Sequence, residues 1–330
     1  MEYRILGNSG LKVSVIGFGA WAIGGWMWGG TDRKDALSAV QEAIEAGITT
    51  IDTAPVYGFG LSEEIVGEAI KGKRNKVQIL TKYGLRWDTR KGQHFFDTQD
   101  AQGRPIELHR YAGEKDVIQE CENSLRRLGT DYIDLYQIHW PDPTTPIEET
   151  MLAVEKLLQD GKVRGAGVSN YSVEQMELAE KVLVLASAQI PYSMVNRGAE
   201  KGLIPYCIKN NKGVIAYSSL QRGLLTGKIG MNHEFAPGDH RPSTPFFKPE
   251  NHRKVLSVLE KIGPLAEAHR ATLAQVAIAW TIYRPGITAA LVGARNPGQV
   301  RENVKACDVD LSDYEIQRIG ELLEESSVVP

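Results

Sequence analysis

Cysteine is scarce: Cys121, Cys207 and Cys307 are the only three in 330 residues, and none lies in a CxxC or a tight Cys/His spacing. Neither a disulfide framework nor a structural zinc site is suggested by this spacing, and a reducing, cytoplasmic setting is expected. An excess of one charge is missing too. With 38 basic and 41 acidic side chains, net −3, nothing draws the chain to nucleic acid or anionic lipid. No apolar run approaches the ~18 residues that cross a bilayer, and the opening MEYRILGNSG has neither the charged nor the apolar region of a signal peptide. The seven histidines form no HExxH or similar metal pairing. Phosphate-loop signals fail as well. GFGAWAIGG (17–25) opens no periodic helix and lacks the Lys-Ser/Thr pair of a P-loop, and GFGLSE (58–63) ends in Glu63; neither has an acid about 20 residues on in a βαβ context.

What is present is rhythm. After a hairpin pattern, YRIL, GNSG, LKVSVI, short apolar runs alternate with helical stripes. The runs are 16–19, 49–52, 77–81, 133–139, 163–168, 187–189, 213–217 and 289–293. Ala36, Val40, Ala43 and Ile44, and then Val117, Cys121, Leu125 and Leu128, each line one face of a 3.6-residue period. Thr145-Pro146-Ile147-Glu148, Ser172 to Gln175 and Ser312 to Glu315 fit capping boxes. Eight strands alternating with helices predict either a closed barrel or an open doubly wound sheet, and residues 1–330 fit a single domain. Two long polar connections, 83–113 and 218–250, follow the third and seventh runs. In parallel α/β folds that is the ligand-binding face.

Polar groups end the runs: Asp52 the second, Lys82 just past the third, His139 the fourth, with Tyr57 in the loop after Asp52. On a barrel these converge on one mouth. The expectation is a general acid, Tyr57, whose phenol is made more acidic by Lys82, itself held by Asp52, while His139 orients a substrate oxygen. Reduction of a carbonyl with hydride from a nicotinamide suits such a set. Trp21, Trp26, Trp28, Trp87 and Trp140 fall just after strands and predict an aromatic pocket, whereas Trp280 sits on a helical pattern and reads as structural.

Asp52-Thr53-Ala54 with Tyr57-Gly58, Lys82, TDYIDLYQIHWPD (130–142), GVSNYS (167–172), YSSLQRGLLTGK (217–228) and GARNPGQVREN (293–303) resemble the motifs of the aldo-keto reductase family. The resemblance runs from the hairpin to about Leu323, and looks closest to bacterial stress-type reductases and the β-subunits of voltage-gated potassium channels. It implies a (β/α)8 TIM barrel with an N-terminal hairpin that binds NADP(H) in extended form. It also implies Asp52, Tyr57, Lys82 and His139 as catalytic tetrad. Ser169, Asn170 and Gln189 would hold the nicotinamide carboxamide, with Tyr217 stacked on its ring and Trp21 and Asp52 beside it. Ser218, Leu220, Gln221 and Gly223 through Lys228 would strap the pyrophosphate; Gly293, Arg295, Gln299 and Asn303 would meet the adenosine end. Tyr57, Trp28, Trp87, His139 and Trp140 would line the substrate site. The expected function is NADPH-dependent reduction of aldehyde, ketone or sugar-like carbonyls; the alternative is an NADP(H)-binding redox sensor or regulatory subunit of slow turnover.

Overall fold

Every one of the eight apolar runs becomes a parallel strand, because alternate residues find apolar company on both faces of the sheet. The structure, a computed structural model, describes residues 1–326 and Val328. In chain order the elements are β1 (Tyr3–Ile5), β2 (Lys12–Ser14), β3 (Ile16–Gly19), α1 (Arg33–Glu45), β4 (Thr50–Asp52), α2 (Leu61–Ala69), β5 (Gln78–Tyr83), β6 (Leu85–Arg86), β7 (Gln93–Gln99) and β8 (Pro105–Arg110). Then follow α3 (Glu114–Leu128), β9 (Leu135–Ile138), α4 (Ile147–Gln159), β10 (Ala166–Ser169), α5 (Val173–Ala179), β11 (Ser187–Pro191), α6 (Leu203–Lys209) and β12 (Gly213–Tyr217). The chain closes with α7 (Pro249–Ala268), α8 (Leu273–Tyr283), β13 (Ile287–Val292), α9 (Pro297–Val304) and α10 (Asp313–Glu325). Strands β3, β4, β5, β9, β10, β11, β12 and β13 close into a barrel in that order, so the open-sheet alternative falls away.

Period-two alternation sorts the side chains. Ile51, Ile79, Tyr136, Val168, Ile190 and Val214 face outward into the large core shared with the helices. Leu80, Leu135, Ile215, Ala289 and Leu291 gather in a second cluster with Leu6 and Val13 of the hairpin, which thus plugs one end of the barrel. Gly7 makes the plug possible: its φ is +54°, and a Cβ there would lie 2.3 Å from the Ala186 carbonyl oxygen. Arg4 fastens the hairpin to the far end of the sequence, donating from Nη1 to the carbonyls of Ile282 (2.8 Å) and Ile287 (2.9 Å).

Ser172 and Ser312 form the expected capping boxes with Gln175 and Glu315. Thr145 does not. Pro146 takes the N-cap position of α4 with no side-chain cap, and the Thr145 hydroxyl donates to Asp142 Oδ2 (2.7 Å). That carboxylate also accepts from the backbone of Ala112 (2.8 Å) and so outcompetes the helix end. The connection 83–113 is a three-stranded antiparallel sheet, β6-β8-β7, and not an unstructured loop. A bulge between His94 and Phe96 breaks the alternation that would have marked the strand. The connection 218–250 carries short 3-10 turns at Gln221–Thr226, Arg241–Ser243 and Pro245–Phe247. Trp280 is fully buried, stacked on Tyr192 (6.0 Å).

Candidate active site

Parallel register sets the constellation. Asp52 ends β4 opposite Leu80 of β5, and Lys82 pairs with Gln137 of β9, so inward-facing polar groups reach the C-terminal rim together. Lys82 Nζ donates to Asp52 Oδ1 at 2.5 Å, to the Thr53 carbonyl at 2.9 Å and to the Tyr57 hydroxyl oxygen at 3.3 Å. On its other oxygen Asp52 accepts from Gln189 Nε2 (2.7 Å) and Gln137 Nε2 (3.4 Å). Every donor around this carboxylate comes from the barrel interior, which fixes its orientation. His139, one residue past β9, is anchored through its backbone: its N–H donates to Tyr83 O (2.8 Å) and its carbonyl accepts from Asn170 Nδ2 (3.0 Å). The imidazole meets the Tyr57 ring edge-on, centroids 5.7 Å apart.

Tyr57 reaches this point through a tight turn. Gly58, Phe59 and Gly60 have φ of +66°, +56° and +106°, three consecutive left-handed residues. A Cβ on Gly58 would sit 2.2 Å from Gly24 O, so two loops cross in backbone contact just behind the tyrosine. The turn is therefore a fixed support.

Burial dominates the electrostatics. The Tyr57 phenol is pushed well above the ordinary tyrosine value by desolvation and then by the Asp52 charge. Lys82 was expected to act in the opposite direction. Its ammonium is engaged by Asp52 at 2.5 Å, and burial together with that carboxylate prevails at the phenol. Lys82 itself is lowered by burial, with Asp52 opposing. His139 is held well below the usual histidine value by burial and by the Lys82 charge. The resting site therefore holds a neutral phenol, a neutral imidazole and a buried ion pair.

The residues expected to hold a nicotinamide ring surround this set. Ser169 ends β10, Gln189 lies in β11, and Tyr217 ends β12 with its hydroxyl donating to Asn170 Oδ1 (2.8 Å). Asn170 takes a left-handed conformation, φ +61°. Beyond Tyr217 the backbone turns through Ser218, Leu220, Gln221 and Gly223, where φ is positive at Ser218, Gln221 and Gly223. Gly19 and Gly293 oppose each other: a Cβ added to Gly19 would lie 3.7 Å from Gly293 N, and one added to Gly293 3.6 Å from Gly19 O. That leaves a side-chain-free floor suited to the close approach of a dinucleotide. Lys228 lies further out, paired with Glu302 (2.9 Å). Arg295 ties its guanidinium to the carbonyls of Gly30 (2.7 Å) and Trp28 (3.4 Å), while its N–H donates to Gln299 Oε1 (2.8 Å). Asn303 Nδ2 donates to Gly293 O (3.3 Å).

Aromatic side chains roof the mouth. Trp21 stacks over Tyr57 (6.0 Å) and meets Trp28 edge-on (5.4 Å). Trp87 packs on Phe59 and Trp140 on Phe95, joining the antiparallel sheet to the barrel, and Trp26 Nε1 donates to Thr98 Oγ1 (3.0 Å). Two members of this roof were missed from sequence. His240 packs on Trp21 (4.9 Å) and Trp28 (5.4 Å), with Nδ1 2.6 Å from Met27 O. Arg222 lies over Trp21 (5.8 Å). As the one charged residue in SSLQRGLLTG, it carried a signal that could have found it.

A closed eight-stranded barrel with a lysine–aspartate pair, a tyrosine and a histidine at the strand ends defines a class of oxidoreductase. The chain belongs to the aldo/keto reductase family, whose model matches residues 15–324. It is 41% identical over 327 residues to the aldo-keto reductase YhdN of Bacillus subtilis (strain 168), covering 98% of this chain and 94% of that one. It is 38% identical over 325 residues to the NADH-specific methylglyoxal reductase of Escherichia coli (strain K12), covering 97% of each. Among solved structures, the glycerol dehydrogenase AKR11B4 from Gluconobacter oxydans superposes with a TM-score of 0.88 at 40% identity, covering 99% of this chain and 96% of that one. The protein is thus an oxidoreductase of carbonyl compounds from a family that uses a nicotinamide cofactor.

Proposed function

We propose that the chain is an NADPH-dependent reductase of aldehyde, ketone or sugar-like carbonyls with Tyr57 as the proton donor. The observation that carries this reading is the buried Lys82 ammonium, shared between Asp52 (2.5 Å) and the Tyr57 hydroxyl (3.3 Å). A nicotinamide supplies hydride when bound; the residues that would hold it are Ser169, Asn170 and Gln189 at its carboxamide, Tyr217 on its face and the 218–228 segment at its pyrophosphate. Tyr57 stays protonated until a substrate oxygen gains negative charge. It then gives up its proton, and Lys82 stabilises the phenolate left behind. Asp52 keeps Lys82 in place. Neutral His139 donates a hydrogen bond to the substrate oxygen and adds no competing charge. Trp28, Trp87 and Trp140 wall off water. The reducing cytoplasm is the proposed setting, favoured by the three free thiols.

Tyr57→Phe tests the acid. Reduction of a reactive aldehyde should fall by about 10²–10⁴-fold, while quenching of tryptophan fluorescence by NADPH persists. Near wild-type turnover with intact binding would remove Tyr57 from the mechanism; tight binding by the wild type with negligible turnover would instead mark a sensor. The preference for NADPH rests on Arg295, whose Nε and remaining Nη hydrogens can meet a 2′-phosphate. The E. coli relative's name, NADH-specific, sets the contrast to be measured. Arg295→Met should raise KM for NADPH about ten- to hundredfold and leave KM for NADH nearly unchanged. Equal effects on both would assign the arginine to loop support alone.

A further inference from the structure

Glu63 is a carboxylate that the proposed chemistry leaves unused, although it lies directly behind the reacting set. Its side chain is 0% exposed. Both oxygens are taken up within the protein: Oε1 accepts from the Thr81 hydroxyl at 2.6 Å, and Oε2 from Arg127 Nε of α3 at 2.6 Å. A buried ion pair stabilises a fold little better than apolar side chains of the same volume would, so this one invites a second role. Thr81 precedes Lys82 on β5, and alternation sends the two side chains to opposite faces, Thr81 towards α2 and Lys82 into the barrel. The bond to Glu63 thus pins the strand one residue before the lysine.

Ser62, the residue before Glu63, holds the other partners of that lysine. Its N–H donates to the Tyr57 carbonyl (3.1 Å), at the base of the turn that carries the phenol. Its hydroxyl donates to the Ala20 carbonyl (2.8 Å) and lies 2.8 Å from the hydroxyl of Thr53, whose carbonyl accepts from Lys82 Nζ (2.9 Å). Two adjacent residues at the start of α2 therefore grip the Tyr57 loop and the Lys82 strand at once. There is little slack behind them, because a Cβ on Gly67 of α2 would lie 2.6 Å from Arg127 O. Charge acts in the same sense as geometry: burial lowers Lys82, and Asp52 first and then Glu63 oppose it. We propose that Glu63 is a positioning residue for carbonyl reduction, which together with Ser62 holds Lys82 Nζ 3.3 Å from the Tyr57 hydroxyl from behind the barrel wall. The proposal rests on the reading of Tyr57 as proton donor. The ionisable groups around Lys82 are Asp52, Tyr57, His139 and Glu63. Those around Glu63 are Arg127, Glu120 and Cys121 of α3 and Tyr136 of β9.

Thr81→Val keeps the shape of that side chain and removes its hydroxyl, Thr81→Ser restores the hydroxyl, and Glu63→Gln removes the charge. Each is measured by the single-turnover rate of NADPH oxidation with benzaldehyde as a function of pH, by fluorescence quenching on NADPH binding, and by melting temperature. Thr81→Val should slow the rate about ten- to hundredfold with the NADPH dissociation constant within about twofold of wild type, and Thr81→Ser should recover most of the loss. Glu63→Gln should also slow it. With one of the two anions that favour the ammonium gone, the alkaline limb, where Lys82 loses its proton, should move to lower pH. A purely structural carboxylate would lower the melting temperature of Glu63→Gln and leave the limb and the rate per folded molecule unchanged, which would overturn the proposal. A Thr81→Val rate within about twofold of wild type would do so as well. Should Glu63→Gln not fold, the two Thr81 variants still decide. Should the wild type reduce no aldehyde with NADPH or NADH, the functional reading falls, and the NMR titration of the Lys82 Cε resonance, assigned by its loss in Lys82→Met, becomes the readout. A midpoint at lower pH in Glu63→Gln then supports the role of Glu63, and an unmoved midpoint overturns it.

Discussion

Replacing Asp52 by Asn isolates the energetics of the buried pair. Lys82 and Asp52 are both nearly inaccessible, with side chains 1% and 3% exposed. At their 2.5 Å separation the attraction is on the order of 6–7 kcal/mol for an effective dielectric near 20, before desolvation is subtracted. In Asp52→Asn the burial that already lowers Lys82 acts without its main opponent. The lysine then enters the folded state as a neutral amine. Holding it so at pH 7, against an ordinary value of 10.5, costs at most about 5 kcal/mol at about 1.4 kcal/mol per unit. At pH 9.5 the same sum is about 1.4 kcal/mol. The sign follows from proton counts: between the depressed folded pKa and the ordinary value the unfolded chain binds more protons, so stability rises with pH. Urea unfolding of wild type and variant should therefore differ by about 3–5 kcal/mol at pH 7, with the gap narrowing towards pH 9.5. A gap below about 1 kcal/mol, or one unchanged between the two pH values, would refute the picture of a buried ammonium sustained by Asp52.

Two further perturbations probe the supports of the site. Burial pushes Glu120 up from its ordinary 4.5 to about 8 although Arg86 lies 3.7 Å away, because that guanidinium is shared with Asp88 and Asp116. The native state thus holds the extra proton between those values, and this contribution to stability is lost as pH rises through about 8. Thermal melts from pH 5 to 8.5 should show a flatter profile for Glu120→Gln than for wild type, and identical profiles would count against the assignment. Gly58→Ala drives a Cβ to 2.2 Å from Gly24 O in a left-handed turn. It should lower stability by about 1–3 kcal/mol and lower kcat more than it raises KM. Unchanged kcat would show that the crossing does not position Tyr57.

The strands were legible because burial on both faces writes itself as short apolar runs, and the strand-end residues Asp52, Lys82 and His139 were legible because parallel register brings such ends together. The antiparallel sheet of β6 to β8 was not: Phe95 and Phe96 sit side by side at a bulge, and their partners Trp26 and Trp140 come from distant loops. Thr145 read as a cap because sequence shows a hydroxyl before a helix but not the carboxylate of Asp142 that claims it. Tyr57 marks a different limit. A lysine nearby suggests a more acidic phenol, yet the outcome turns on how firmly Asp52 engages that lysine and how little water remains, and both are three-dimensional quantities.

The pairing of β3 with β13 and the grip of Arg4 on Ile282 and Ile287 bear on how the chain is made. Contacts of sequence separation 278 and 283 cannot form until Ile282 and Ile287 have been synthesised. At about 5–20 residues per second, the first strands wait roughly fifteen seconds to a minute for their last neighbour to be synthesised. Over that interval the nascent sheet has an open edge at β3, the strand that leads into Trp21 and the roof of the mouth. The barrel therefore closes only once β13 has been made, and the seam it completes is the one that flanks the catalytic rim.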